Sequence, residues 1–435
     1  MSRVKTSLVS LSEDRYWQSC YLITNGLRQS YASREIAKHT SVTEWRLSRF
    51  NSEASIAQTA SEIVASKPDW LVFLDTSPLY GILIKRINEI QATKNRPRLR
   101  FHVYGDFTLR SYLWKHWEED LRGYAIEWVC ASTAQERLVK AFCDSKSRRT
   151  WVCPFPLKTA PFQFDFKSRK QMRKSLGLSD SDFLIYYSGR LTMQKNVLAN
   201  LKIVRFLKAE TLARTHFVFA GDFDDRGGPF EGTHLPKGGI FQLWQDAMAT
   251  LKSDQRQRVH LLPGLAHSSQ SAMYSAADCF LSLSLQHDED FGMAPAEAAC
   301  SGLPLILTSW GGYQDFHGYG ARGSLVNVNL ASTGPRFSLR AVAKEIEKCA
   351  KIPQNLSERI KAGSEFSKNL SIHKAAEKIR FHSTSQKDEN RPPEFKKFNS
   401  LMKMVAGHFN PHKGHLVFSD LKKGSVYEKV YRHYV

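Results

Sequence analysis

The residues best suited to chemistry lie in three stretches of the second half of the chain. The first is Ser188-Gly189-Arg190-Leu191-Thr192-Met193-Gln194-Lys195-Asn196, where an apolar run ends and a helical pattern opens. Gly189 permits a turn that few residues tolerate, and Arg190 and Lys195 bring two cations to it. An arginine grips a diphosphate with parallel hydrogen bonds, and a lysine meets it as a point charge. Taken alone, such a pair is more often solvated surface charge. The second stretch is His287-Asp288-Glu289-Asp290-Phe291-Gly292-Met293-Ala294-Pro295-Ala296-Glu297, with Glu289 and Glu297 eight positions apart. Pro295 suits a first helical turn, so a helix should start near residue 293. Its first amides, beside Gly292, would form an anion site. Glu289 then sits in the preceding loop. Glu297 sits inside the helix, where it either reaches a pair of sugar or ribose hydroxyls or merely complements the helix dipole. The third stretch, Gly302 to Asp315, carries an apolar strand into Gly311-Gly312. In open α/β sheets the C-terminal strand edge is where ligands bind.

The elements that must position these residues are short β-like runs alternating with longer amphipathic segments, the pattern of βα units and a parallel sheet. The early runs are Lys5 to Leu11, Asp69 to Asp75, Leu99 to Tyr104, Ile126 to Ala131 and Thr150 to Pro154. Helix candidates between them are Ala54 to Ser66, Leu79 to Gln91, Leu109 to Leu121 and Thr133 to Cys143. Prolines from Pro154 to Pro161 and the basic run from Lys167 to Lys174 mark a domain boundary. A second alternation follows, with strands at Phe183 to Ser188, His216 to Ala220, Val259 to Leu262, Cys279 to Leu283 and Leu305 to Leu307. Its helices are expected from Asn196 to Ala209, Phe241 to Leu251 and Ala341 to Ala350, and Asp222 to Gly239 reads as a long surface loop. The expected division is residues 1–160, 161–383 and a basic extension, 384–435, with few periodic apolar positions.

On these residues the chain resembles retaining glycosyltransferases of the GT-B fold, of the family 4 (group 1) type that uses nucleotide sugars. The resemblance covers residues 165–383 well and the first domain only loosely. Gly189-Arg190 with Lys195-Asn196 is similar to the family's diphosphate-binding turn, and Glu289 to Glu297 matches its paired-glutamate signature. Ala220-Gly221-Asp222 and Leu262-Pro263-Gly264 fall where the family places loops around the nucleotide. The resemblance implies two facing Rossmann-like domains with a cleft between them, the first carrying the acceptor and the second the nucleotide sugar. Arg190 and Lys195 would neutralise the diphosphate, with the amides of Gly292 and Met293 adding to them. Glu289 would hold donor-sugar hydroxyls and Glu297 the ribose. Gly189, Asp290, Phe291, Leu262 and Gly264 complete the implied donor contacts, with the base near Leu262 to Leu265. Transfer would retain configuration by front-side attack, with no cofactor and no metal, the leaving-group charge being stabilised electrostatically. The chain departs from the family at Ser10 to Trp17, which lacks a glycine pair, and at the segment that should present a histidine. There Phe101-His102-Val103-Tyr104-Gly105-Asp106 leaves His102 and Asp106 as alternatives. After Gly311-Gly312 the family's carboxylate would be supplied by Gln314-Asp315.

The chain has 435 residues, a net charge of +20, 42% apolar residues and seven cysteines. That composition excludes a wholly disordered chain, a collagen-like chain and a small disulfide scaffold. No window of about 18 apolar residues suggests a membrane span, and the first residues lack a secretory signal. The odd, widely spaced cysteines suit a reduced, cytoplasmic protein. The positive charge attracts an anionic partner of any kind. The basic tail allows peripheral contact with the inner face of an anionic membrane.

Three rival readings are distinguishable. Asp222-Phe223-Asp224 and Asp288-Glu289-Asp290 spell a metal-binding pattern common by chance. A nucleic-acid-binding protein fits the charge but no recognition motif appears, and Arg190→Ala would spare nucleic-acid binding while abolishing donor binding. A non-catalytic scaffold would not need Arg190, Lys195, Glu289 and Glu297 intact. Tyr112, Trp114 and Trp117 read as packing or an acceptor contact, and the tract His408, His412, His415 as solvated residues rather than a metal site. The expected function is transfer of a sugar from a nucleotide-diphosphate sugar to a glycan or lipid-linked acceptor, in cell-envelope polysaccharide or lipopolysaccharide synthesis.

Overall fold

The computed structural model describes residues 3–11, 18–91, 95–103, 107–144, 149–226, 235–285, 289–352, 355–384, 393–410, 415–416, 418 and 420–435. Two compact units emerge: Met1–Lys158 with Leu370–Leu416, and Thr159–Asn369 with Val417–Val435.

The first unit is built on a six-stranded sheet, in the order β2-β1-β3-β4-β5-β6. Its strands are β1 (Val4–Leu11), β2 (Thr40–Leu47), β3 (Trp70–Phe73), β4 (Arg98–Val103), β5 (Ile126–Cys130) and β6 (Thr150–Val152). All five pairings are parallel. The central strands are buried on both faces: Trp70 to Phe73 and Ile126 to Cys130 are buried at every position, and the one charged residue among these, Glu127, pairs with Arg100 of β4 at 2.6 Å. Phe101 stacks between Phe73 and Trp128, at ring-centroid distances of 4.8 and 5.2 Å, and Trp114 meets Phe101 edge-on at 5.2 Å. Trp114 and Trp117 are therefore core residues, while Tyr112 stacks on Phe409 at 3.8 Å. The helix expected from Leu109 to Leu121 is two helices, Ser111–His116 and Glu118–Leu121.

The second unit holds β7 (Phe183–Ser188), β8 (Thr215–Ala220), β9 (Val259–Leu262), β10 (Cys279–Ser282), β11 (Leu305–Thr308) and β12 (Gly323–Val326). These form a parallel sheet in the order β12-β11-β10-β7-β8-β9. The chain starts in the middle at β7, winds outward to β9, then restarts at β10 on the other side of β7. That is the doubly wound order whose switch point opens a crevice beyond the C-terminal strand ends, here the ends of β7 and β10.

The division near residue 160 falls at Lys158/Thr159, but the expected limits at 383 and 384 do not coincide with the units. After Asn369 the chain joins the first unit, where the helix Ile372–Thr384 packs against the helix Gln18–Tyr31. The described residues of the tail are structured: Phe395 and Phe398 are buried, and Ser400–Ala406 is helical. β13 (Phe409–Asn410) pairs with β14 (His415–Leu416), and Val426–Tyr431 is a helix of the second unit. Aromatic anchors at irregular spacing replace the apolar periodicity that the extension lacks.

Candidate functional site

The site grows from the turn after β7. Its first residue, Gly189, has φ of +143°. The Arg190 guanidinium donates to Asp224 Oδ2 at 2.8 Å and to Gln194 Oε1 at 3.1 Å. Its carbonyl accepts from the Tyr187 hydroxyl at 2.8 Å, so backbone and side chain are both held. Asn196, in the left-handed conformation at φ of +54°, closes the turn, and its side-chain amide donates to the Leu283 carbonyl at 3.0 Å. That bond ties the turn to the end of β10. Lys195, on the same turn, donates to Glu289 Oε2 at 2.6 Å. The two residues thus come from either side of the switch point.

Glu289 is 5% exposed. Besides Lys195, the Ser284 hydroxyl donates to its Oε2 at 2.6 Å. The Thr308 hydroxyl at the end of β11 donates to the Ser284 carbonyl at 2.6 Å. Three strand ends therefore hold one carboxylate, a geometry that hydrogen bonds to an ionised group make strong. Asp290 and Phe291 follow it into the interior, Phe291 stacking on Phe316 at 5.4 Å.

Gly292 caps the helix Met293–Cys300 at φ of +105°. A Cβ there would run into the Tyr313 ring, so the residue serves both the turn and the close approach. Having no side chain, it leaves the first-turn amides without a side-chain cap, and their partial positive charge favours an anion. Glu297 lies in this helix, 4% exposed. Its Oε2 accepts from the Tyr274 hydroxyl and from the Gln270 side-chain amide, each at 2.9 Å. The Gln270 amide also donates to the Ser188 hydroxyl at 3.0 Å, joining Glu297 to the end of β7. Burial without a cationic partner in this set pushes Glu297 up to about 7, while the Tyr274 hydrogen bond pulls it down. Desolvation disfavours the charged carboxylate, and two neutral donors offset only part of that cost.

The Gly311-Gly312 turn closes the site from the β11 side. Gly312 N–H donates to the Glu289 carbonyl at 2.7 Å, and Gly311 N–H to the Tyr434 carbonyl at 2.8 Å. Cβ atoms on these glycines would overlap the carbonyls of Glu289 and Asp290. On the β8–β9 side, Gly221 N–H donates to the Leu262 carbonyl at 3.1 Å and Gly264 N–H to Asp222 Oδ1 at 3.3 Å.

Arg190, Lys195, Glu289, Glu297, Gly292 and Met293 therefore gather around the ends of β7 and β10, with Leu262 at the end of β9 and Gly264 on the loop after it. The two aspartates of Asp222-Phe223-Asp224 are engaged with Gly264 N–H and with Arg190. Among the described residues there is no group of three or more His, Cys, Asp or Glu side chains able to hold a metal ion. His287, Asp288, His412, Asp106 and the segment 12–17 lie outside the described residues. His102 is buried within the first unit. It lies in β4, 4% exposed, with Nε2 at 3.0 Å from the Tyr31 hydroxyl. Burial and the neighbouring Arg100 guanidinium push it down to about 3, so it is a neutral core histidine. Asp224, Gln270, Tyr274 and Ser284 are the members that sequence reasoning missed. Only Asp224 carried a signal, and that signal suggested metal binding.

Residues 168–361 match the model of the glycosyl transferases group 1 family. No curated protein sequence matches the chain. Among solved structures, HepE from Anabaena in complex with UDP-glucose is 13% identical, with a TM-score of 0.63, over 87% of this chain and 99% of that one. Sucrose-phosphate synthase from Thermosynechococcus elongatus is 16% identical, with a TM-score of 0.58, over 87% and 97%. WaaG, a glycosyltransferase involved in lipopolysaccharide biosynthesis, is 13% identical, with a TM-score of 0.54, over 88% and 100%. At such identities the likeness is one of fold, the two-domain α/β GT-B architecture.

Proposed function

We propose that this chain, a GT-B protein whose residues 168–361 form a group 1 glycosyl transferase domain, transfers a sugar from a nucleoside-diphosphate sugar to a hydroxyl-bearing acceptor. The observation that carries the reading is the pairing across the switch point of Lys195 with Glu289, beside Arg190 and the uncapped helix start at Gly292. Two cations and a helix N-terminus suit a diphosphate leaving group. A carboxylate fixed by Lys195 and Ser284 suits the hydroxyls of the sugar attached to it.

In the ligand-free arrangement Asp224 and Gln194 keep Arg190 in place and Glu289 keeps Lys195 in place. An entering diphosphate takes over those donors with little reorganisation, which is the property that makes preorganised charge effective in catalysis. Glu297, on the neighbouring helix, receives the ribose hydroxyls. The bond from the anomeric carbon to the diphosphate breaks as the bond to the acceptor oxygen forms. The acceptor proton passes to the departing phosphate oxygen on the same face, and configuration is retained. The charge on the leaving group is met by Arg190, Lys195 and the helix amides, without a metal. A glycan or lipid-linked acceptor of cell-envelope synthesis fits the basic chain, by analogy with WaaG, whose description places it in lipopolysaccharide biosynthesis.

A thermal-shift panel of UDP, GDP, ADP, dTDP and CMP, with and without Mg²⁺, tests the site. A ligand at about 100 times its Kd stabilises by about 2.7 kcal/mol. One diphosphate is expected to shift the wild type, indifferent to metal, with the shift lost in Arg190→Ala. Glu289→Ala is expected to bind the bare diphosphate normally and to use its sugar conjugate at least ~100-fold less well. A wild type unmoved by every nucleotide, or variants that behave as wild type, would remove the assignment.

A further inference from the structure

The segment 420–435 leads to an aromatic plug against the end of β11. Trp310, fully buried, stacks on Tyr434 at a ring-centroid distance of 5.1 Å with 20° between the planes. Tyr431 stands 5.6 Å from both of these rings. Behind it, Tyr427 and Phe418 approach the Tyr431 ring to 4.9 and 5.9 Å. Tyr434 is 4% exposed. This stretch belongs to the second unit although the 47 residues from Leu370 to Leu416 that precede it belong to the first.

The plug reaches the Glu289 loop through two consecutive amides. Gly311 N–H donates to the Tyr434 carbonyl at 2.8 Å, and Gly312 N–H donates to the Glu289 carbonyl at 2.7 Å. The side-chain amide of Gln314 also donates to the Tyr434 carbonyl. A Cβ on Gly311 would lie 3.3 Å from Tyr434 Cδ1 and would overlap the Glu289 carbonyl. The glycine turn is thus held between the plug on one side and the backbone of the sugar-facing carboxylate on the other. With backbone hydrogen bonds on both sides, the turn couples a displacement at Tyr434 to the Glu289 backbone, while Lys195 and Ser284 hold the carboxylate itself.

We propose that Tyr434 is a positioning residue for Glu289, acting through the Gly311-Gly312 turn, and that the segment 420–435 is a brace fixing the donor-sugar side of the site. The proposal rests on the reading of Glu289 as the carboxylate that holds the donor sugar. It separates two functions inside one crevice. Arg190 at the diphosphate end is held by Asp224 and Gln194, whereas the Glu289 backbone is joined to the turn that the brace holds, so loss of the brace falls more heavily on the sugar end than on the diphosphate end. Misplacement by about 1 Å far from the chemistry can cost roughly 100-fold in rate, so the brace has leverage on turnover without touching the ligand.

The experiment compares Tyr434→Ala and Tyr434→Phe with the wild-type full chain. Amide hydrogen exchange is followed in peptides covering residues 289–291 and 311–312. The affinity for whichever nucleoside diphosphate the thermal panel selects is measured alongside kcat and KM for its sugar conjugate. In the alanine variant, exchange at both peptides is expected to quicken at least ~10-fold while the rest of the second unit keeps its protection. Diphosphate affinity should stay within about twofold and kcat should fall ~10- to 100-fold. Tyr434→Phe, which keeps the ring that stacks on Trp310, should restore all three. Should the alanine variant fail to fold, Tyr434→Leu, which keeps bulk against Trp310, is expected to show the same split at smaller size.

Wild-type exchange at 311–312 in a folded Ala or Leu variant would overturn the brace. Quickened exchange with unchanged kcat would overturn the positioning role, and so would exchange raised uniformly across the unit. If the wild type binds no nucleoside diphosphate, the functional reading fails on that result. The exchange measurement then decides by itself whether Tyr434 positions the Glu289 loop.

Discussion

Glu289 and Glu297 belong to one short segment, yet the fold gives them opposite surroundings. Glu289 meets the ammonium of Lys195, whereas Glu297 meets the neutral Tyr274 hydroxyl and Gln270 amide in a buried site. That difference gives Glu297 a measurable pH signature. Its carboxyl sits at about 7 in the folded chain against 4.5 when solvated. The folded state holds that proton more tightly, so the stabilising contribution is complete below pH 4.5 and is lost as pH rises through about 7. The shift corresponds to about 3 kcal/mol between those limits. Denaturant unfolding at pH 5 and pH 8 should therefore show a larger loss of stability in the wild type than in Glu297→Gln, by about that amount. Parallel pH profiles for the two proteins would show that the carboxyl is not desolvated in the folded chain. The paired glutamates and the two cations were legible because their types and spacing are local. Gln270 and Tyr274 were not, because they reach the site only through the packing of the helix His267–Ala276.

At the scale of elements, the strands written as short, mostly apolar runs were legible whether or not they are buried. β7, buried along most of its length, and β9, a partly exposed edge strand, both match their expected limits to the residue. β2 was missed because it is an edge strand buried only at its ends, Thr40 and Leu47, with the polar residues Glu44 and Arg46 exposed between them. β12 is the edge of the other sheet and is only partly buried. The helix expected from Asn196 to Ala209 breaks instead into Val197–Lys202 and a 3₁₀ turn, Ile203–Phe206, before a further helix begins at Ala209. The helix start at Gly292 is where an element meets the chemistry. Gly292→Ala would add a Cβ against the Tyr313 ring at a positive φ, costing ~1–3 kcal/mol. It should also displace the first-turn amides and weaken nucleoside-diphosphate binding. Gly318→Ala, with nothing within 4 Å of the added Cβ, is the control and should change neither. Thermal melts with and without the diphosphate read both effects. Equal behaviour of the two variants would mean that the helix start carries no part of the site.

The whole molecule adds what no single element can, a net charge of +20 from 62 basic and 42 acidic side chains. Among the described residues no helix is long and apolar enough to cross a membrane. We propose that the charge brings the chain to an anionic surface, where a lipid-linked acceptor would be presented. Basic residues near such a surface contribute about 1 kcal/mol each, and the attraction fades within a Debye length of about 8 Å at physiological salt. The signature is therefore electrostatic. Co-sedimentation with vesicles containing anionic phospholipid should be strong at about 0.05 M salt and lost by about 0.5 M. Vesicles of neutral phospholipid should capture little at either concentration. Arg190→Ala removes one charge from the crevice and should leave vesicle binding unchanged while abolishing the nucleotide response, which separates surface attraction from donor binding. Salt-independent capture, or equal capture by neutral vesicles, would point to apolar insertion instead. Absence of binding at low salt would leave the charge to act on the diphosphate and on a soluble acidic acceptor.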